Sequence, residues 1–154
     1  MFKHILFPTD GEAPSVAALA PCLALAKYHG ARVTALHVTA PFRVLSTRPE
    51  VLAGTPDDYA AGSAERARAR LEPVAAAAAA QGVPCETLTV EHEHPYAAII
   101  DTARQRQCDL VAMASHGRRG VSRLLLGSQA QKIVALSPVS VLVCRRFGSL
   151  AAAA

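Results

Sequence analysis

The sequence lacks several features that mark specialised classes of protein. It has no tryptophan, three tyrosines and four phenylalanines, and none of these alternates with basic residues. An aromatic platform for single-stranded nucleic acid is therefore not expected. The four cysteines, Cys22, Cys85, Cys108 and Cys144, form no CxxC or Cys/His pattern, so buried reduced thiols are the simplest interpretation. We expect neither a nucleic-acid partner nor a zinc site.

Long hydrophobic runs are also missing. No apolar stretch approaches the roughly 18 residues of a membrane-spanning helix, and the N-terminal apolar segment reaches Pro8 too soon for a secretory signal. We therefore expect a cytoplasmic protein without a membrane partner. The chain does have 154 residues, of which 51% are hydrophobic, enough to bury a continuous core. This predicts one domain over residues 1–146 and a tail over 147–154.

Hydrophobic periodicity predicts alternating strands and helices along the chain. The strands are predicted over 5–8, 32–38, 84–91, 109–114 and 139–144, and the helices over 14–29, 57–81, 96–107 and 128–136. Pro73 predicts either a kink in the second helix or the start of a second helical piece. Segment 40–56 contains three prolines and is predicted to be a long loop. The alternation predicts a Rossmann-like α/β fold: an open, doubly wound parallel sheet of about five strands, with helices on both faces.

Residues that follow strands are the candidates for ligand binding, because such sheets bind ligands at the carboxyl ends of their strands. Asp10 follows the first strand, and Gly127 and Ser128 stand where the last helix is predicted to begin. The main-chain N–H groups there and the Ser128 hydroxyl suit a phosphate. Two alternatives need no ligand: Ser128 as an ordinary helix cap, and Asp10 as a cap of the following turn.

Histidines do not form a recognisable reactive pattern. His92 and His94 are two apart at a predicted strand end, but no third ligand has suitable local spacing, so no metal site is predicted. His116 has no cysteine or serine beside it in a recognisable nucleophile arrangement, so no catalytic residue is predicted. The net charge of +4, carried mostly by arginine, favours an anionic partner.

Several segments resemble the universal stress protein family. The resemblance runs from ILFPTD at 5–10 through LHV at 36–38 and DLV at 109–111 to PVSVLV at 138–143. The family signature, Gly-x2-Gly-x9-Gly-Ser/Thr, is matched by Gly117, Gly127 and Ser128. Ala114 occupies the position of the first glycine. Compared with glycine it adds one methyl group, the smallest side chain that narrows the space for a ligand.

The resemblance implies an adenine nucleotide alpha hydrolase-like fold and ATP, with Mg²⁺ as its optional counterion, bound at the ends of the first and fourth strands. It implies that Asp10 lies near the ribose or adenine. The positions it assigns to the base pocket are Pro8, Thr9 and Val38, and those around the ribose and phosphates are Met113, Ala114, Gly117, Gly127, Ser128 and Gln129. It also implies a regulatory role in stress response and a homodimer through the last strand, Val139 to Cys144.

Other functions stay open beside ATP binding. A dimeric interaction module that binds no nucleotide has the same fold, and a weak ATPase needs only an aligned water and charge neutralisation. A fast ATP-cleaving or adenylating enzyme is not expected, because segment 8–11 has few main-chain donors for an anion. Titration with ATP separates a nucleotide-binding protein from an interaction module.

Overall fold

The computed structural model describes residues 1–41, 56–115 and 126–145. Within these ranges strands and helices alternate: β1 (His4–Pro8), α1 (Ala13–His29), β2 (Arg32–Thr39), α2 (Pro56–Ala80), β3 (Cys85–Glu91), α3 (Pro95–Gln105), β4 (Leu110–Ala114), α4 (Ser128–Leu136) and β5 (Ser140–Cys144). The predicted α/β fold is confirmed, with bounds that differ by a residue or two. The predicted tail and most of the predicted loop over 40–56 lie outside the described residues.

The strands form one parallel sheet in the order β3-β2-β1-β4-β5. On one side of β1, Ile5 pairs with Val33 of β2, and on the other side Ile5 pairs with Leu110 of β4. The direction of winding therefore reverses between β1 and β4. In a doubly wound sheet this reversal leaves a crevice at the carboxyl ends of the strands, where ligands bind.

Helices cover both faces of the sheet. Ile5 and Phe7 belong to the core cluster that includes residues of α1 and α2, whereas Leu6 belongs to the cluster that includes residues of α3 and α4. Successive side chains of β1 divide between the two clusters because a strand points them alternately to opposite faces. Both faces are apolar, as is typical of a parallel sheet buried on both sides.

Helix α2 runs through Pro73 as a single helix, so the alternative of a second helical piece is wrong. Proline removes one main-chain donor, but the helix continues. Val74 and Ala78, which follow it, are buried against the sheet, and this tertiary packing holds the helix together across the missing bond. In the described parts of the chain, neither α2 nor any other helix is long and apolar enough to cross a membrane.

The four cysteines are free thiols. Cys22 and Cys108 are buried, as expected, whereas Cys85 and Cys144 are half-buried. Burial raises the pKa of Cys22 to about 12 and the pKa of Cys108 to about 11, because a thiolate is costly away from water. These thiols are therefore structural rather than reactive.

Candidate functional site

A cavity opens at the carboxyl ends of β1, β2 and β4, where the winding reverses. Its volume is about 540 Å³, which falls within the range of about 300–1,000 Å³ for small-molecule sites. The remaining walls come from the N-terminal parts of α1, α3 and α4. The lining residues are Pro8, Thr9, Asp10, Ser15, Leu36, His37, Val38, Pro95, Ile99, Met113, Ala114, Ser115, Gly127, Ser128, Gln129, Ala130 and Ile133.

The structure brings most of the positions predicted from the sequence to this one cavity. Those that line it are Pro8, Thr9, Asp10, Val38, Met113, Ala114, Gly127, Ser128 and Gln129. Gly117, the other predicted position, lies outside the described residues, as does His116. Segments more than a hundred residues apart in the chain therefore meet at one edge of the sheet.

One wall of the cavity is apolar. Leu36, Ile99, Met113 and Ile133 belong to the core cluster on the α3/α4 face, and Val38 packs against that cluster. Ile99 and Ile133 were not among the predicted site positions. Their helical spacing marks them as core residues, but nothing in the sequence shows that α3 and α4 begin beside the ends of the same strands.

The loop after β1 is held by a chain of hydrogen bonds. The Asp10 Oδ1 atom accepts from the main-chain N–H of Glu12 at 3.0 Å and from the hydroxyl of Ser15 at 2.6 Å. The Thr9 hydroxyl accepts from the N–H of Gly11 and donates to Ser15 Oγ, each at 3.1 Å. The interpretation of Asp10 as a cap of the following turn is thus confirmed. The other carboxylate oxygen, Oδ2, has no hydrogen bond to any part of the chain that the structure describes.

His37 joins the end of β2 to this loop. Its Nδ1 lies 2.8 Å from the carbonyl oxygen of Thr9, and because a carbonyl only accepts, Nδ1 donates. Its Nε2 lies 3.0 Å from Arg70 Nη1 and accepts from that guanidinium. Arg70 is half-buried because its side chain reaches back to the strand ends. Neither residue was predicted to be part of the site.

The N-terminus of α4 differs from expectation in two ways. Gly127, which has no side chain, is its N-cap residue and Ser128 is the first residue inside the helix, so the interpretation of Ser128 as the cap is wrong. The N–H of Gly127 donates to the carbonyl of Ser115 at 2.9 Å, which joins the two ends of segment 115–127. This N–H is therefore not available to a phosphate, contrary to the prediction. The N–H groups of Ser128 and Gln129 follow in the first helical turn, where no intrahelical acceptor exists.

The side chain of Gln129 connects the two helices at the mouth of the cavity. Its Oε1 accepts from the main-chain N–H of Tyr96 in the first turn of α3, at 3.0 Å. Lys132 lies 4.6 Å above the centre of the Tyr96 ring. These contacts fix the separation of α3 and α4, and hence the width of the cavity between them.

His92 and His94 lie beyond the end of β3, which stops at Glu91. His92 Nδ1 accepts from the main-chain N–H of His94 at 2.9 Å, so this ring nitrogen is already used within the turn. Among residues 1–41, 56–115 and 126–145, no group of three His, Cys, Asp or Glu side chains is arranged to hold a metal ion.

Comparison with known proteins identifies the family. The sequence model of the universal stress protein family matches residues 1–145. The chain belongs to this family. It is similar to a universal stress protein of Thermus aquaticus, described as lying in the QAH/OAS sulfhydrylase 3′ region. That protein is 37% identical over 146 residues, which cover 94% of this chain and 100% of the relative.

Solved structures agree with this assignment. The structure of the hypothetical protein MJ0577 matches with a TM-score of 0.80 at 25% identity and covers 97% of this chain and 99% of that one. A universal stress protein in complex with cAMP matches with a TM-score of 0.70 at 21% identity, covering 94% of this chain and 97% of that one. The family predicted from the sequence, and its fold, are thus confirmed.

Proposed function

We propose that this chain is a cytoplasmic stress-response protein that binds ATP, with Mg²⁺ as its counterion, as a regulatory ligand in the cavity at the ends of β1 and β4. The observation that carries the proposal is the composition of that cavity, in which an apolar wall, a carboxylate and an open helix N-terminus converge. The cAMP complex of a universal stress protein with this fold supports an adenine nucleotide as the class of ligand.

The base and sugar fit the half of the cavity nearest to β1 and β2. A purine ring packs between Pro8, Val38 and Met113, which remove its faces from water. The Oδ2 atom of Asp10 accepts hydrogen bonds from ribose hydroxyls, while Oδ1 remains engaged by the loop. Thr9 lines the cavity beside it, and its main chain sets the direction of the carboxylate.

The phosphates fit against the first turn of α4. The N–H groups of Ser128 and Gln129 and the Ser128 hydroxyl are donors, and the positive end of the helix dipole favours an anion. Gly127 presents no side chain at the cavity wall. In this proposal Gly117, in the segment between β4 and α4, belongs to the same phosphate site. To act as a regulator, ATP must bind one conformation of the protein better than another.

Calorimetric titration with MgATP tests the proposal, with Asp10→Asn as the decisive variant. Asparagine keeps an oxygen that accepts from Glu12 and Ser15 but replaces Oδ2 by an amide that cannot accept. Loss of a charged hydrogen bond costs about 1.5–3 kcal/mol, so we expect the Kd to rise about tenfold or more. Asp101→Asn, on the exposed face of α3, is the matched control.

Two results contradict the proposal. One is wild-type protein that gives no heat with ATP, AMP or cyclic AMP; the other is an Asp10→Asn variant that binds ATP as tightly as the wild type does. Phosphate release measured in the same samples tests the alternative of a weak ATPase, which requires turnover above that of the buffer.

A second function is proposed for β5, which is the last strand of the sheet order. An edge strand presents unpaired N–H and C=O groups that another chain can pair with. The residues from Val141 to Cys144 are half-buried, and Leu136, the last residue of α4, is 60% exposed. This apolar edge favours a homodimer through Val139 to Cys144, as the family resemblance implies.

Sedimentation equilibrium tests the dimer. Val143→Lys places a charge on the edge strand and is expected to convert a dimer to a monomer, because buried unpaired charges are costly. Val16→Lys on the exposed face of α1 is the control and should leave the mass unchanged. A wild-type monomer at high micromolar concentration, or a dimeric Val143→Lys variant, contradicts pairing through this strand.

A further inference from the structure

Arg70 of α2 lies directly against the loop that follows β1. A Cβ atom built on Gly11 would lie 2.6 Å from Arg70 Cγ, so the aliphatic part of the arginine packs on the glycine main chain. Gly11 also has a φ of +75°, a left-handed conformation that residues with side chains rarely adopt. The loop thus approaches α2 more closely than a residue with a side chain allows.

The guanidinium of Arg70 reaches the imidazole of His37. Arg70 Nη1 donates to His37 Nε2 at 3.0 Å, and the opposite ring nitrogen, Nδ1, donates to the carbonyl of Thr9 at 2.8 Å. A guanidinium stays charged and cannot accept, so it holds Nε2 as the unprotonated nitrogen. The ring proton is thereby fixed on Nδ1, which donates it in the hydrogen bond to the Thr9 carbonyl.

The peptide groups around Thr9 are held by β2. The Thr9 N–H donates to Leu36 O at 2.9 Å, and the Thr9 carbonyl accepts from His37. Asp10 is the next residue, so the direction of its carboxylate depends on the peptide that this carbonyl belongs to. We propose that Arg70 is a positioning residue: acting through His37, it fixes the loop that carries Asp10. Its effect on ATP rests on the proposed function, whereas its effect on His37 does not.

The substitution Arg70→Met tests the contribution of the guanidinium separately from that of the aliphatic part of the side chain. Methionine retains an unbranched apolar chain that packs on Gly11 but cannot donate to His37. Arg66→Met is the matched control, because Arg66 lies one turn earlier on the same helix and is exposed. Arg70→Lys keeps a cationic donor and serves as the conservative variant.

The first measurement is ¹⁵N NMR of the His37 ring in the protein without ligand. The wild type is expected to carry its proton on Nδ1, and so are the Arg66→Met and Arg70→Lys variants. In Arg70→Met a signal for protonated Nε2 should appear, because the guanidinium no longer donates to that nitrogen. Loss of packing alone does not change which ring nitrogen is protonated, so an unchanged Nδ1 tautomer in Arg70→Met overturns the proposal.

The second measurement is a double-mutant cycle on ATP affinity. His37→Asn keeps a side-chain donor for the Thr9 carbonyl but has no counterpart of Nε2. We expect Arg70→Met to raise the Kd for ATP about five- to tenfold in the wild-type background. This effect is smaller than that of losing a charged hydrogen bond to the ligand itself. In the His37→Asn background the same substitution should change the Kd less than about twofold, since the partner of Arg70 is then absent.

The outcomes distinguish the two proposals. Equal losses of ATP affinity in both backgrounds mean that Arg70 acts by packing alone, which overturns its role as a positioning residue. If no protein, including the wild type, binds ATP, the proposed function fails. The role of Arg70 in fixing the loop is then decided by the His37 tautomer in Arg70→Met alone.

Discussion

Ala114 is the position at which the chain departs from the family signature, and replacing it by glycine tests where its methyl lies. Ala114 is 8% exposed and belongs, with Ala112 and Phe7, to the core cluster on the α1/α2 face. The apolar wall of the cavity is on the opposite face. We therefore expect Ala114→Gly to lower the stability of the protein while leaving its affinity for ATP unchanged.

The size of the stability loss follows from two contributions. Removing a buried methyl costs about 0.8 kcal/mol, and glycine inside a strand costs about 0.5–1 kcal/mol in main-chain entropy. Together they lower the free energy of unfolding by about 1.5 kcal/mol. For a domain of this size such a loss lowers the Tm by about 3–6 °C.

Thermal unfolding followed by circular dichroism and titration with ATP measure the two effects separately. Ala112→Gly is the matched control, because Ala112 is fully buried on the same face of β4 and does not line the cavity. The Tm of both variants should fall by a similar amount, and both should bind ATP with the wild-type Kd. A tenfold gain in ATP affinity confined to Ala114→Gly would refute the reasoning, since the methyl would then obstruct the ligand.

Three further predictions concern other parts of the fold. Burial lowers the pKa of His4 below its ordinary 6.5, so the unfolded chain takes up the proton first and stability falls as the pH drops through 6.5. His4→Gln should therefore flatten the fall in Tm between pH 7.5 and 5.5, and an unchanged slope contradicts this. Cys22, with a pKa of about 12, should resist iodoacetamide at pH 8 until guanidinium unfolds the protein, as peptide mass spectrometry can show. Gly30→Ala should lower the free energy of unfolding by about 1–2 kcal/mol, because of the left-handed φ alone. Gly11→Ala should lower the free energy of unfolding, measured with urea, by more than Gly30→Ala does, because its Cβ must also displace Arg70. Equal losses in the two variants would contradict the contact between Gly11 and Arg70.

The order of strands and helices was predictable because it depends on patterns within short segments. Apolar runs such as those of β1 and β4 and the helical spacing of α1 each arise from neighbours a few residues apart. The sheet type follows from their alternation, and the location of the cavity follows from the sheet type. The ILFPTD and PVSVLV segments identified the family on the same local basis.

Polar contacts within the site were only partly predictable. The alternative that Asp10 caps the following turn could be drawn from the sequence because its partners are two and five residues away. Gly127 was assigned a free N–H because its partner, Ser115, lies across a segment whose closure has no local signature. A second helical piece starting at Pro73 was left open for α2, since the packing of this helix on the sheet does not show in its own periodicity.

The sequence by itself determined the succession of elements, the family and the strand ends that form the crevice, because these depend on residues close together in the chain. Only the tertiary structure decided which side chains meet there. Ile99 and Ile133 complete the apolar wall, and Arg70 reaches His37 across 33 positions of sequence. Such pairs are set by how helices pack on a twisted sheet, and no periodicity within one segment encodes the distance between two helices.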